Sequence, residues 1–192
     1  MMMTMLAEPA TENASTATAP LSADRIVLTG FMGAGKSTVG RLLAARLGWQ
    51  FVDVDVEVEA RYGCTIAQMF AEAGEAEFRR RESAAIARAL GQQNIVIALG
   101  GGAPEMLTNR LLLEQTVRTA VVFLDAPFEV LFDRCVLQEG AAVRPLLLDA
   151  AAAAERFRMR APVYRRCAKH QIATADQDPS ETAAAVMQLL RA

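Results

Sequence analysis

The sequence predicts an α/β fold of three layers, α-β-α, built on a five-stranded parallel sheet. Three observations carry this. Short apolar runs alternate along the chain with longer amphipathic stretches. The short runs are apolar throughout, not at every second residue, as in strands buried on both faces beneath helices. The length, 192 residues with 53% hydrophobic, is enough for one core without metal or disulfide staples.

Arg25–Thr29 is a β-branched and leucine run ended by Gly30, and reads as the first strand. Residues 36–47 place Val39, Leu42, Leu43 and Leu47 on one face and Arg41 and Arg46 on the other, a helix stopped by Gly48. Residues 51–54 read as a second strand, and residues 56–62 as a helix ended by Gly63. Thr65 and Gln68 form a capping box that opens a short helix to residue 72. A longer helix follows over 75–90, closed by Gly91. Residues 94–99 are a continuous apolar strand, 105–115 a helix, and 119–124 another buried strand. Pro127 opens a further helix at its first turn. Gly140 and Pro145 mark residues 138–148 as a loop. Asp149 caps an alanine-rich helix to about residue 158, and helical pattern resumes from Pro162. Residues 171–174 are the last strand and 179–190 the last helix.

Residues 1–23 carry no Lys or Arg. A secretory signal or a mitochondrial presequence needs basic residues. The expectation is a disordered tail, 1–23, before one domain, 24–192. The net charge of −2 argues against a protein that coats nucleic acid, which needs a strongly basic face. No apolar run approaches the ~18 residues of a membrane span. Cys64, Cys135 and Cys167 are scattered and His170 is the one histidine, so neither a zinc site nor a disulfide framework is expected. Unpaired thiols fit a reducing cytoplasm.

Gly30-Phe31-Met32-Gly33-Ala34-Gly35-Lys36-Ser37 matches G-x-x-x-x-G-K-[ST] in full, between a predicted strand and a predicted helix. The glycines free backbone N–H groups to wrap phosphates, and the helix N-terminus adds partial positive charge. Gly33, Ala34, Gly35, Lys36, Ser37 and Thr38 are therefore the expected nucleoside-triphosphate-binding residues. Lys36 is to reach the β- and γ-phosphates, and the Ser37 hydroxyl is to ligate Mg²⁺. Asp53 and Asp55 follow at the carboxyl end of the second strand. Alternation along a strand would point both at one crevice, as metal ligand and hydroxyl acceptor, although either alone is equally a helix cap. Gly100-Gly101-Gly102 ends the third strand and leaves bare backbone for close approach. Arg79 and Glu82, three apart on a helix, share a side, so Glu82 can orient Arg79. Arg144, in the loop, is a candidate lid arginine, and Arg160 a further carboxylate- or phosphate-binding one. A P-loop alone serves kinases and ATPase or GTPase switches alike.

In this order and combination, Gly-Phe-Met-Gly-Ala-Gly-Lys-Ser, Asp53-Val-Asp55, Glu77-Phe78-Arg79, the triple glycine, Arg144-Pro-Leu-Leu and Arg160-Ala-Pro-Val-Tyr resemble shikimate kinases, a group within the nucleoside-monophosphate-kinase-like P-loop fold. The resemblance runs from about Arg25 to the C-terminus. It implies phosphorylation of the shikimate 3-hydroxyl by ATP with Mg²⁺, on the way to chorismate and aromatic amino acids. It implies arginines matching Arg79 and Arg160 on the shikimate carboxylate. Asp55 and the backbone of Gly101 and Gly102 meet the hydroxyls, and Phe70 and Phe78 lie beside the ring. Ser37 and Asp53 hold the metal, and Arg144 sits in a lid at about residues 138–149. The adenine contact falls at residues 175–179, where the family often has a basic residue and this chain has Gln177. Lys36, Asp55 and Arg144 are then the catalytic groups, in a cytoplasmic monomer whose partners are shikimate and ATP. Another small-molecule kinase, such as a gluconate-type enzyme, is the alternative.

Overall fold

The computed structural model describes residues 21–136 and 149–191. Five strands form one sheet: β1 (Arg25–Thr29), β2 (Gln50–Asp53), β3 (Ile95–Ala98), β4 (Thr119–Asp125) and β5 (His170–Ala173). Every pairing is parallel and the order is β2-β3-β1-β4-β5. The helices are α1 (Lys36–Leu47), α2 (Val54–Tyr62), α3 (Ile66–Leu90), α4 (Leu107–Gln115), α5 (Phe128–Val136), α6 (Ala150–Cys167) and α7 (Pro179–Leu189), with a 3₁₀ turn at Ala103–Glu105.

The central strand shows why the strands are apolar throughout. Ile26 and Leu28 of β1 face one core with Leu43, Val122 and Val186, while Val27 faces a second core with Ile86, Ile95 and Ile97. Successive side chains alternate between faces, and both faces are covered. Asp53 stands opposite Ala98, Leu28 opposite Ala98 and Thr29 opposite Phe123, so the carboxyl ends of four strands come level. That shared edge is where open α/β sheets bind ligands.

Several boundaries differ from expectation. The second strand ends at Asp53, so Asp55 lies in the first turn of α2 and not on the strand. Asp53 instead caps α2, its side chain accepting from Asp55 N–H at 3.2 Å. The capping box of Thr65 and Gln68 is present. The two helices expected after it form one element, α3, broken locally at Gly74 (φ 77°, ψ 169°). The helix expected over 105–115 begins as the 3₁₀ turn and then α4. The expected gap before Pro162 is absent, since α6 runs through it. Pro162, Arg158 and Met159 face solvent, where water can serve the carbonyl that proline leaves unbonded. The packed chain also starts earlier than residue 24. Ser22 N–H donates to the Leu190 carbonyl at 3.0 Å, and Ala23 is buried in the core. The rest of the expected tail, and residues 137–148 with Arg144 and nearly all of the expected lid, lie outside the described residues.

Candidate active site

The loop from β1 to α1 has its backbone open on the sheet edge. Gly33 and Gly35 both have positive φ, 77° and 85°. A side chain on Gly33 would also collide with the Leu131 carbonyl of α5, so this position needs glycine for both conformation and space. Lys36 Nζ lies back over the loop, donating to the carbonyls of Gly30 at 2.9 Å and Phe31 at 3.0 Å. The loop opens on a pocket of about 480 Å³ lined by residues 32–39, Arg134, Thr174, Gln177, Pro179 and Thr182. All six expected nucleotide residues of the loop are there, and so is Gln177. Its side-chain Oε1 is buried without a protein partner among the described residues.

Arg134 escaped the sequence reading. It reaches from the last turn of α5 to the segment after β5, donating to the Thr174 carbonyl at 2.5 Å and the Ala175 carbonyl at 3.2 Å. Its guanidinium joins two walls of the pocket that are forty residues apart in sequence. The one available signal was a basic residue in the final turn of a helix.

Next to the loop, Ser37 Oγ donates to Asp53 Oδ2 at 2.5 Å. A hydroxyl and a carboxylate thus converge beside the pocket. This oxygen pair suits a hard divalent cation that keeps waters and takes phosphate oxygens, and among the described residues no cluster of three or more His, Cys, Asp or Glu builds a dedicated cage.

The triple glycine brings the other half of the site together. A Cβ on Gly100 would stand 2.5 Å from Glu82 Oε1 and 2.7 Å from Asp55 Oδ1, so both carboxylates crowd over bare backbone. A Cβ on Gly102 would overlap the Arg79 guanidinium. Arg79 donates to Glu82 Oε2 at 2.8 Å and to Glu75 Oε1 at 3.1 Å, so Arg79 and Glu82 meet on one side of α3. Burial pushes the Glu82 carboxyl up from its ordinary value, the Arg79 charge opposing and the Asp55 charge adding. Phe78 lies under the Arg79 guanidinium, and Phe70 packs tilted against Phe78, their ring centres 5.0 Å apart. From α6, Arg160 donates to Glu105 Oε2 at 2.7 and 3.0 Å, and the hydroxyl of Tyr164 donates to the Gly101 carbonyl at 2.6 Å. Tyr164 is one turn beyond Arg160 and shares its face. Burial raises its phenol pKa, so it stays a donor.

Against known proteins, the family model for shikimate kinase matches residues 32–191. A shikimate kinase of Symbiobacterium thermophilum is 45% identical over 174 residues, covering 86% of this chain and 95% of that protein. The chain belongs to the shikimate kinase family. A shikimate kinase of Nitratidesulfovibrio vulgaris is 43% identical over 77% of this chain and 85% of its own length. The solved shikimate kinase of Acinetobacter baumannii in complex with shikimate superposes with a TM-score of 0.79 at 36% identity, covering 87% of this chain and 92% of that one. A gluconokinase of Sinorhizobium meliloti shares the fold at 20% identity and a TM-score of 0.58.

Proposed function

We infer that this family member transfers the γ-phosphoryl group of ATP to the 3-hydroxyl of shikimate, giving ADP and shikimate 3-phosphate. The supporting observation is the pair of neighbouring half-sites on one sheet edge, where a Cβ on Gly101 would lie 3.9 Å from the Gly30 carbonyl. One is a phosphate loop. The other is a bare triple glycine flanked by Asp55, Arg79 and Arg160, groups suited to a small hydroxylated carboxylate.

Phosphoryl transfer passes through a loose transition state, so positioning and charge stabilisation do most of the work. The backbone N–H groups of residues 33–38 would wrap the phosphates, and Lys36 would leave the loop carbonyls for phosphate oxygens. Pro179, Gln177 and Arg134 would border the base. Ser37, and Asp53 through water, would hold Mg²⁺, which when bound neutralises charge on the transferring group. Asp55 would accept the hydrogen bond of the attacking hydroxyl and take its proton. Arg79 and Arg160 would clamp the acceptor carboxylate. Arg144 is assigned to the lid, where it would bear on the phosphates, and closure would keep water from the transferring group. We place the enzyme in the cytoplasm as a monomer, on the path to chorismate. Among the described residues no helix is long and apolar enough to cross a membrane.

The deciding experiment is ADP release by purified protein with shikimate or gluconate as acceptor, with and without Mg²⁺. Shikimate-dependent release that needs Mg²⁺ is expected. Release indifferent to the acceptor would overturn the reading. Arg79→Ala and Arg160→Ala are each expected to raise the shikimate KM by about 10- to 100-fold, since each removes a charge-assisted pair.

A further inference from the structure

Both arginines of the acceptor site hold protein carboxylates, but the two arrangements differ. Arg79 donates through Nε and Nη2 to Glu75, which is 65% exposed, but keeps a second partner in Glu82, whose side chain is 1% exposed. A carboxylate so enclosed has nowhere to go, and it serves to orient the guanidinium. Arg160 is also enclosed, at 10%, but its partner Glu105 is 42% exposed. An enclosed guanidinium without a counterion is costly. Glu105 offsets that charge and still has open solvent to retreat into.

The pairing is built into the backbone. Glu105 ends the 3₁₀ turn that leaves the triple glycine, and its N–H donates to the Gly102 carbonyl at 3.0 Å. Pro104 stiffens the turn. Arg110 of α4 donates to the carbonyls of Pro104 at 2.7 Å and Glu105 at 2.8 Å, and buried Asn109 donates to the Ala103 carbonyl at 2.8 Å. The turn is therefore clamped from below while the Glu105 side chain is presented to Arg160. Both Nε and Nη2 of Arg160, one edge of its fork, go to the single oxygen Oε2. An incoming carboxylate that offered both its oxygens would use that edge more fully.

We propose that Glu105 is an internal stand-in for the acceptor's carboxylate. It occupies Arg160, and the substrate must displace it. The exchange replaces one ion pair with a better one only when the ligand itself carries a carboxylate. Glu105 thereby lowers the affinity of carboxylate acceptors, which must displace it, while a neutral polyol leaves the Arg160–Glu105 pair in place and gains nothing from Arg160. This inference rests on the reading of Arg160 as a carboxylate ligand.

The test is steady-state kinetics of Glu105→Gln and Glu105→Ala with shikimate and with its methyl ester, alone and combined with Arg160→Ala. Freeing Arg160 removes the penalty on a partly occupied site, so the shikimate KM is expected to fall about fivefold. The kcat and the ATP KM are to stay within about twofold, and the KM for the ester is to stay unchanged. In the Arg160→Ala background the Glu105 changes are to have no effect on the shikimate KM. An unchanged or raised shikimate KM in both Glu105 variants, with Arg160→Ala still raising it, would overturn the stand-in role and leave the Arg160 assignment intact. An Arg160→Ala enzyme with an unaltered KM would remove the assignment and this inference with it.

Discussion

Asp55 and Glu82 are carboxylates that both approach Gly100, yet their surroundings separate their roles. Asp55 sits in the first turn of α2, beside the helix cap Asp53. Glu82 is fully enclosed and tied to Arg79. Asp55→Asn is expected to lower kcat by about 10²- to 10⁴-fold, the range for loss of a positioned base, while ATP affinity measured by titration holds. For Glu82 the folded-state pKa is raised, burial being the largest cause. The folded protein then binds that proton more tightly than the unfolded chain does. The stability this confers is complete below the ordinary glutamate value of 4.5 and is lost as pH rises through the raised value. In urea denaturation from about pH 4 to about pH 8, wild type is expected to lose stability relative to Glu82→Gln as pH rises, and a flat difference would contradict the assignment. The types and spacing of these residues were readable from sequence, because a P-loop, an Asp-x-Asp and an Arg-x-x-Glu are local patterns. The partners of Arg160 and Arg134 were not. Glu105 is 55 residues from Arg160, and the Thr174 carbonyl is 40 residues from Arg134.

At the scale of elements, the capping signals were the most legible. Thr65 with Gln68 opens α3, and Asp149 opens α6, because a cap is a contact within one turn. Gly74 is the element-level feature with most bearing on the site. It breaks α3 between Phe70 and Arg79, two of the residues assigned to the acceptor. At φ 77° and ψ 169° it lies where side chains are strained, although a Cβ there would meet nothing within 4 Å. The effect of Gly74→Ala is therefore one of backbone alone. A stability loss of about 1–3 kcal/mol is expected by chemical denaturation, together with a raised shikimate KM as Phe70 shifts against Phe78. A neutral result in both would mean that the break has another cause. The strand boundary at Asp53 shows the limit of pattern reading. Alternation put Asp53 and Asp55 on one strand face, but the cap ends the strand and a helical turn carries Asp55 instead.

At the scale of the whole molecule, the proposed acceptor site draws on α2, α3, the glycine turn and α6, so a ligand seated there would tie four segments together. Shikimate at about 100 times its Kd is expected to add about 2.7 kcal/mol, or roughly 5–10 °C in Tm, with no shift from gluconate. A thermal melt with each ligand checks this, and equal shifts would show that the site does not select its acceptor. The charge pattern fits the same picture. Residues 53–77 hold seven acids, and residues 144–169 hold seven bases against Asp149 and Glu155, although the net charge is only −2. A small net charge thus coexists with dense local clusters of either sign. By itself the sequence determined the parallel α/β class and the phosphate loop, because these follow from burial period and from glycine geometry, while the expected acceptor residues came with the resemblance of the ordered motifs. Only the tertiary structure decided the strand order, the pocket wall made by Arg134, and the hold of Glu105 on Arg160. Each of these joins segments distant in sequence, and what meets across such a span depends on how the helices pack on the sheet, which no local pattern records.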